Sequence, residues 1–163
     1  MKTFAITFAV LLATLAGSAN VCAADDPQLQ GLALCQDTWL SWKDDSVRMA
    51  RYANYVQMQF EQSPSDGAFV PKLPKSVFGW PVAQVYPQSV GMGVGFSLTV
   101  NVDHARARAM IERQVGKAME CSDSEGVRAC AVELGAKKTA VLMTDQNGAA
   151  KTSLLGCYYF YQQ

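Results

Sequence analysis

The sequence predicts an α+β domain, an antiparallel sheet of about five strands packed on one side by a long N-terminal helix and a second helix, in the order α-β-β-α-β-β-β. Three observations carry this expectation. Residues 28–62 contain no proline and repeat apolar side chains at three-four spacing; residues 92–102 alternate apolar and small or polar side chains without a break; residues 127–161 divide into three short apolar runs. An amphipathic helix and a one-sided strand each need an apolar partner, and helices laid on one face of an antiparallel sheet supply it.

The first segment is read as a targeting signal, not as structure. Lys2 precedes the apolar run from Phe4 to Ala16, and small residues follow up to "VCAA". This is the pattern of a secretory signal peptide over residues 1–24, cut after Ala23 or Ala24, and the run is shorter than the ~20 residues of a membrane span. Cys22 offers lipidation as an alternative, against which Val21 stands where lipoprotein signals place a small residue. The expected mature chain, residues 25–163, has the size of a single domain. Its 14 acidic residues face 14 basic ones less Lys2, and no run gathers five like charges. Nucleic acid is therefore not an expected partner, since phosphate binding draws on clustered Lys and Arg, and stable membrane insertion is not expected.

Export implies an oxidising space, where an even number of cysteines reads as disulfides. Setting Cys22 aside leaves Cys35, Cys121, Cys130 and Cys157. Three pairings are possible; the expected one joins Cys121 to Cys130 around the polar turn "SDSEGVRA" and Cys35 to Cys157, tying the first helix to the last strand. The spacings lack the close C-x-x-C pairs of zinc sites, so no metal or other cofactor is expected.

In the helical region, Leu32, Cys35, Trp39, Trp42, Ser46, Met49, Ala53, Val56 and Phe60 fall on one face. "KDDS" at 43–46 is a candidate break, with Asp44 or Asp45 as the cap of a second helix. Trp39 and Trp42 read as core, or as the lining of a groove. Residues 63–81, with prolines at 64, 71, 74 and 81, read as a connecting loop or equally as a binding loop.

"VAQVY" (82–86) and residues 92–102 form the first hairpin. The glycines of "SVGMGVGF", Gly91, Gly93 and Gly95, open the second strand of that hairpin, so G-x-G-x-G is not a phosphate loop, which would sit between a strand and a helix. Three bare positions on one face imply a bulge or bend, a neighbouring aromatic lying over the backbone, or a shallow groove for a partner's side chain or a small ligand. Asp103 caps the next helix, whose apolar face is Ala107, Met110, Ile111, Val115, Ala118 and Met119. His104, the only histidine, reads as an exposed first-turn residue.

Three strands complete the chain, at 127–134, 139–145 and 152–161, with Asn147-Gly148 as a tight turn. Tyr158, Tyr159, Phe160 and Tyr161 put rings on both faces of the last strand, which therefore needs cover on both or else self-associates.

The chemistry inventory is thin. Neither G-x-S-x-G nor H-E-x-x-H occurs, the disulfides occupy the cysteines, and the carboxylates Asp44, Asp45, Glu61, Glu112 and Glu133 show no pairing that selects them. The sequence therefore predicts no enzyme. It predicts a small exported binding module that engages another protein, as an inhibitor or assembly factor, with Gly91, Gly93, Gly95, Tyr158, Tyr159, Phe160, Tyr161, Trp39 and Trp42 as the candidate surface. The alternative is a carrier of a small apolar ligand, with a pocket between sheet and helix lined by Trp39, Trp42, Met92 and Phe96.

Overall fold

Asp26 starts the domain. In the computed structural model, which describes residues 23–37, 46–64, 66–90, 93–135, 137–146 and 151–160, its carboxylate accepts from the amides of Gln28 and Leu29 and caps helix α1, Pro27–Ala33. Proline at the first helical position fits, because that residue has no use for its N–H. The signal segment and Cys22 lie outside the described residues. Asp25 adds a second anchor: its carboxylate accepts from the Ser76 hydroxyl at 2.7 Å and the Gly79 amide at 2.9 Å.

The single long helix is not found. The first helix ends at Ala33, and Cys35 takes a left-handed φ of 59° that no helix continues. A second helix, α2, covers Ser46–Gln59. Trp39, Trp42, Asp44 and Asp45 lie outside the described residues. Ala53, expected on the inner face, is exposed, whereas Val56 is buried and Tyr52 and Tyr55 pack against the core. The three-four spacing across Cys35 joined two helices in one register that the backbone does not keep.

The sheet is also larger than expected, with nine antiparallel strands among the described residues in place of about five. Three short ones fall in or beside the presumed connecting loop: β1 (Phe60–Gln62), β2 (Phe69–Pro71) and β3 (Ser76–Val77). The first hairpin is β4 (Trp80–Val90) and β5 (Gly93–Val100). Helix α3, His104–Val115, follows, capped by Asp103, whose side chain accepts from the Arg106 amide, and closed by Gly116 at φ 70°. It stops short of residue 119: Ala118 is exposed and Met119 is buried beyond the helix. Four strands complete the chain: β6 (Glu120–Ser124), β7 (Val127–Gly135), β8 (Lys138–Asp145) and β9 (Ser153–Phe160). The polar segment "ECSDS" is thus a strand, not a turn, and Asn147-Gly148 lies outside the described residues.

The order across the sheet is β1-β2-β4-β5-β9-β8-β7-β6, with β3 paired to β4 off this path. The chain crosses through α3 to the far edge and returns as a meander, so β9 slots between β5 and β8. This position answers the aromatic tail. A central strand is hydrogen-bonded along both edges, so its backbone has no free edge on which a second copy could pair.

Register defines the two faces, because paired residues point the same way. The inner face carries Val94, Phe96 and Leu98 of β5, Leu155, Cys157 and Tyr159 of β9, Ala140 and Leu142 of β8, and Cys130 and Val132 of β7, all buried. On it pack Leu29 and Leu32 of α1 and Ala107, Met110 and Ile111 of α3. Cys35 bonds to Cys157, which pins the end of α1 to the middle of β9.

Candidate functional site

The two features that the sequence sets apart, the glycine strand and the aromatic tail, are cross-strand partners. Gly93 pairs with Phe160, Val94 with Tyr159 and Gly95 with Tyr158. The outcome differs by face. Tyr159 is 5% exposed on the inner face, so it belongs to the core and not to a binding surface. Tyr158 stands half-buried on the outer face with its ring over Gly95, where an added β-carbon would lie 2.6 Å from Cδ1 and Cε1. At Gly95 the bare backbone is therefore covered from within the chain and is not an open groove. Gly91, Trp39, Trp42 and Tyr161 lie outside the described residues, as does Met92.

Cross-strand rows lay out the rest of the outer face. One runs Gly95, Tyr158, Thr139, Glu133; the next Tyr86, Ser97, Gly156, Val141, Ala131, Glu120; the third Gln84, Thr99, Leu154, Met143, Ala129, Ser122. The middle of this lattice has no charge. Its larger apolar members are Val141, Leu154 and Met143, the last 40% exposed, flanked by Tyr86 and Tyr158. Acidic groups stand at its margins: Glu120 and Glu133, with Ala131 and Thr139, border a groove of about 450 Å³, and Asp145 follows Met143 on the same face.

Sequence reasoning missed a second place. His104 is not simply exposed: α3 begins beside the β6–β7 hairpin, and the ring is partly buried against Cys130, with Nε2 3.4 Å from Sγ and Nδ1 3.0 Å from Thr144 Oγ1. Burial and the nearby charges of Arg128 and Arg108 hold the imidazole pKa below its ordinary value. Cys130 is bonded to Cys121 directly across the hairpin, with Cα atoms 4.0 Å apart. Cys121 is exposed and Cys130 buried. The cleft over this bridge, about 600 Å³, is lined by His104, Arg108, Glu112, Asp123 and Arg128 besides Cys121.

Its charged walls are braced in pairs. Arg128 grips Asp123 through two 2.8 Å bonds across the strands, and its hydrogen bonds hold that carboxyl below the usual range. Glu112 accepts from the Met119 amide and from Arg108, both at 2.8 Å, which lowers its pKa and fastens the end of α3 to the start of β6. Only register could have exposed this cleft in advance: once Cys121 and Cys130 are paired strands, the helix that precedes them must begin nearby.

No protein family, curated protein or solved structure matches the chain. Among the described residues, no helix is long and apolar enough to cross a membrane. Of the lining expected for a carrier's pocket, Trp39, Trp42 and Met92 lie outside the described residues and Phe96 is buried in the core. Two intrachain disulfides fit an oxidising, exported setting.

Proposed function

We propose that the chain is an exported, non-catalytic binding module that engages another protein in the periplasm or outside the cell, as an inhibitor or assembly factor, through the outer face of its sheet. The observation that carries this reading is the uncharged lattice of Tyr86, Tyr158, Val141, Leu154 and Met143 with carboxylates kept to its margins. Protein interfaces have that anatomy, with tyrosine and methionine enriched in an apolar middle and charge at the rim. Among the described residues, helices α1 and α3 pack on the inner face, which favours the outer one. Glu120 and Glu133 at the groove select a partner that offers lysine or arginine there.

A rigid platform suits the task. Each disulfide and each cross-strand row lowers the ordering cost that binding would otherwise carry. The test is capture of a stoichiometric partner from the native envelope fraction or medium by the immobilised mature chain, followed by reconstitution with that partner purified. Met143→Glu places a charge in the middle of the face at an exposed position and should cut affinity by roughly tenfold or more, the fate of a central contact. Glu133→Lys should slow association and alter its salt dependence, as a rim charge does. A partner bound by both variants as well as by the parent chain would end this reading.

A further inference from the structure

The cleft at the start of α3 holds three ligating atoms already turned toward one another. His104, Cys121 and Cys130 each offer one, and the three lie within 4.8 Å. A chain of hydroxyls sets the histidine tautomer. The Ser153 hydroxyl donates to the Val102 carbonyl at 3.0 Å, and a carbonyl can only accept. The proton in the 3.1 Å contact between Thr144 and Ser153 therefore comes from Thr144. With that proton spent, Thr144 Oγ1 accepts from His104 Nδ1. The neutral ring then aims its Nε2 lone pair at Cys130 Sγ. Metal-binding histidines are held in the same manner, the second ring N–H given to a fixed oxygen.

We propose that reduction of the Cys121–Cys130 bridge by an external dithiol turns this corner into a site for a thiophilic cation of the Zn²⁺ type, held by both sulfurs and His104 Nε2. The dithiol supplies two electrons and two protons, the S–S bond breaks to two thiols, and the donor leaves as its own disulfide. Cation binding then displaces both thiol protons to water. Two thiolates and an imidazole suit zinc and softer ions, and three protein ligands leave a fourth position open toward the cleft.

Access makes the reaction selective. Cys121 is exposed on an edge strand, whereas Cys35 and Cys157 are 5% and 0% exposed beneath the helices. An external thiolate can reach one bridge and not the other. The sequence hides such a site because its ligands converge through strand pairing and a helix start, not through a short C-x-x-C turn.

Limiting dithiol is applied to the folded chain, free thiols are mapped by alkylation and mass spectrometry, and Zn²⁺ is titrated against a chromophoric chelator, with Co²⁺ as a spectroscopic probe of thiolate ligation. The expected result is alkylation at Cys121 and Cys130 alone, one Zn²⁺ per reduced chain and none on the oxidised chain. His104→Ala should weaken zinc binding by roughly tenfold or more, and Thr144→Val, which leaves every ligand in place, should weaken it by about tenfold. Opening of Cys35–Cys157 at the same dithiol concentration, no stoichiometric zinc on the reduced chain, or zinc affinity in both variants equal to that of the reduced parent chain would overturn the proposal.

Discussion

Tyr158 stands directly opposite Gly95, and a β-carbon at Gly95 would meet the ring at 2.6 Å. Gly156, in the same strand, faces a harder obstacle: its β-carbon would run into the Phe96 carbonyl oxygen and come within 2.8 Å of Ser97 Cα. A ring can swing aside and a paired backbone cannot. Gly95→Ala should therefore cost about 1–2 kcal/mol and Gly156→Ala about 3 kcal/mol or more, in the range of overpacked cores. Urea unfolding checks the order. Adding Tyr158→Ala should recover part of the Gly95→Ala loss and none of the Gly156→Ala loss.

Asp26 binds the start of the domain to its middle. Burial pushes its carboxyl upward, but hydrogen bonds from Lys75 and Tyr55, both 2.7 Å, and from the Leu29 amide outweigh this and hold the pKa below its ordinary 3.8. The pair with Lys75 is well shielded, with 11% and 13% side-chain exposure. A depressed folded-state pKa contributes stability that is present above the unfolded value and lost as pH falls through the folded one. Asp26→Asn keeps a good helix cap and removes the charge opposite Lys75. It should cost about 3 kcal/mol at neutral pH, as breaking a buried pair does. The difference from the parent chain should shrink steadily as the pH is lowered below 4, measured by denaturant midpoints of both proteins.

The elements legible in the sequence are those whose signal is local. Alternation over residues 92–102 marked β5, Asp103 marked the start of α3, and elimination among the cysteines gave the pairs Cys35–Cys157 and Cys121–Cys130. The elements that stayed hidden owe their form to distant partners. Phe69–Pro71 is a strand because β1 and β4 flank it, and no periodicity shows in three residues. Glu120–Ser124 is polar throughout, the ordinary character of an edge strand, so nothing apolar announces it. Of the candidate surface, Tyr158 and Tyr159 were separable only by knowing which face the helices take. His104 acquired neighbours 26 and 40 residues away that no spacing rule reaches.

The turn between β6 and β7 carries avoidable strain. Glu125 and Gly126 have φ of 50° and 80°, the two left-handed positions of a tight hairpin, and only the second is a glycine. Glutamate has no local compensation for that conformation, whereas asparagine tolerates it. Glu125→Asn should raise stability by about 0.5–1 kcal/mol, a gain measurable as a higher urea midpoint with unchanged m-value. A loss would show that the Glu125 side chain contributes more than its backbone conformation costs.

The two disulfides should differ sharply in what they do for the fold. Cys35–Cys157 closes a loop of 122 residues and Cys121–Cys130 one of 9. Loop entropy alone assigns about 5 kcal/mol to the first and about 2.6 kcal/mol to the second. Packing widens the gap, since Cys35 and Cys157 sit among Leu29, Leu32 and Phe96 in the core, while the shorter bridge joins two strands that are already paired at a sheet edge. Replacing Cys121 and Cys130 together by serine should leave a folded chain with a lowered midpoint. Replacing Cys35 and Cys157 by alanine should free α1 from β9 and leave the chain largely unfolded at 37 °C, as read from near-UV circular dichroism and proteolysis. Equal losses in the two double variants would mean that α1 is held by its Leu29 and Leu32 contacts alone, and that the long bridge is a passenger on a helix already docked.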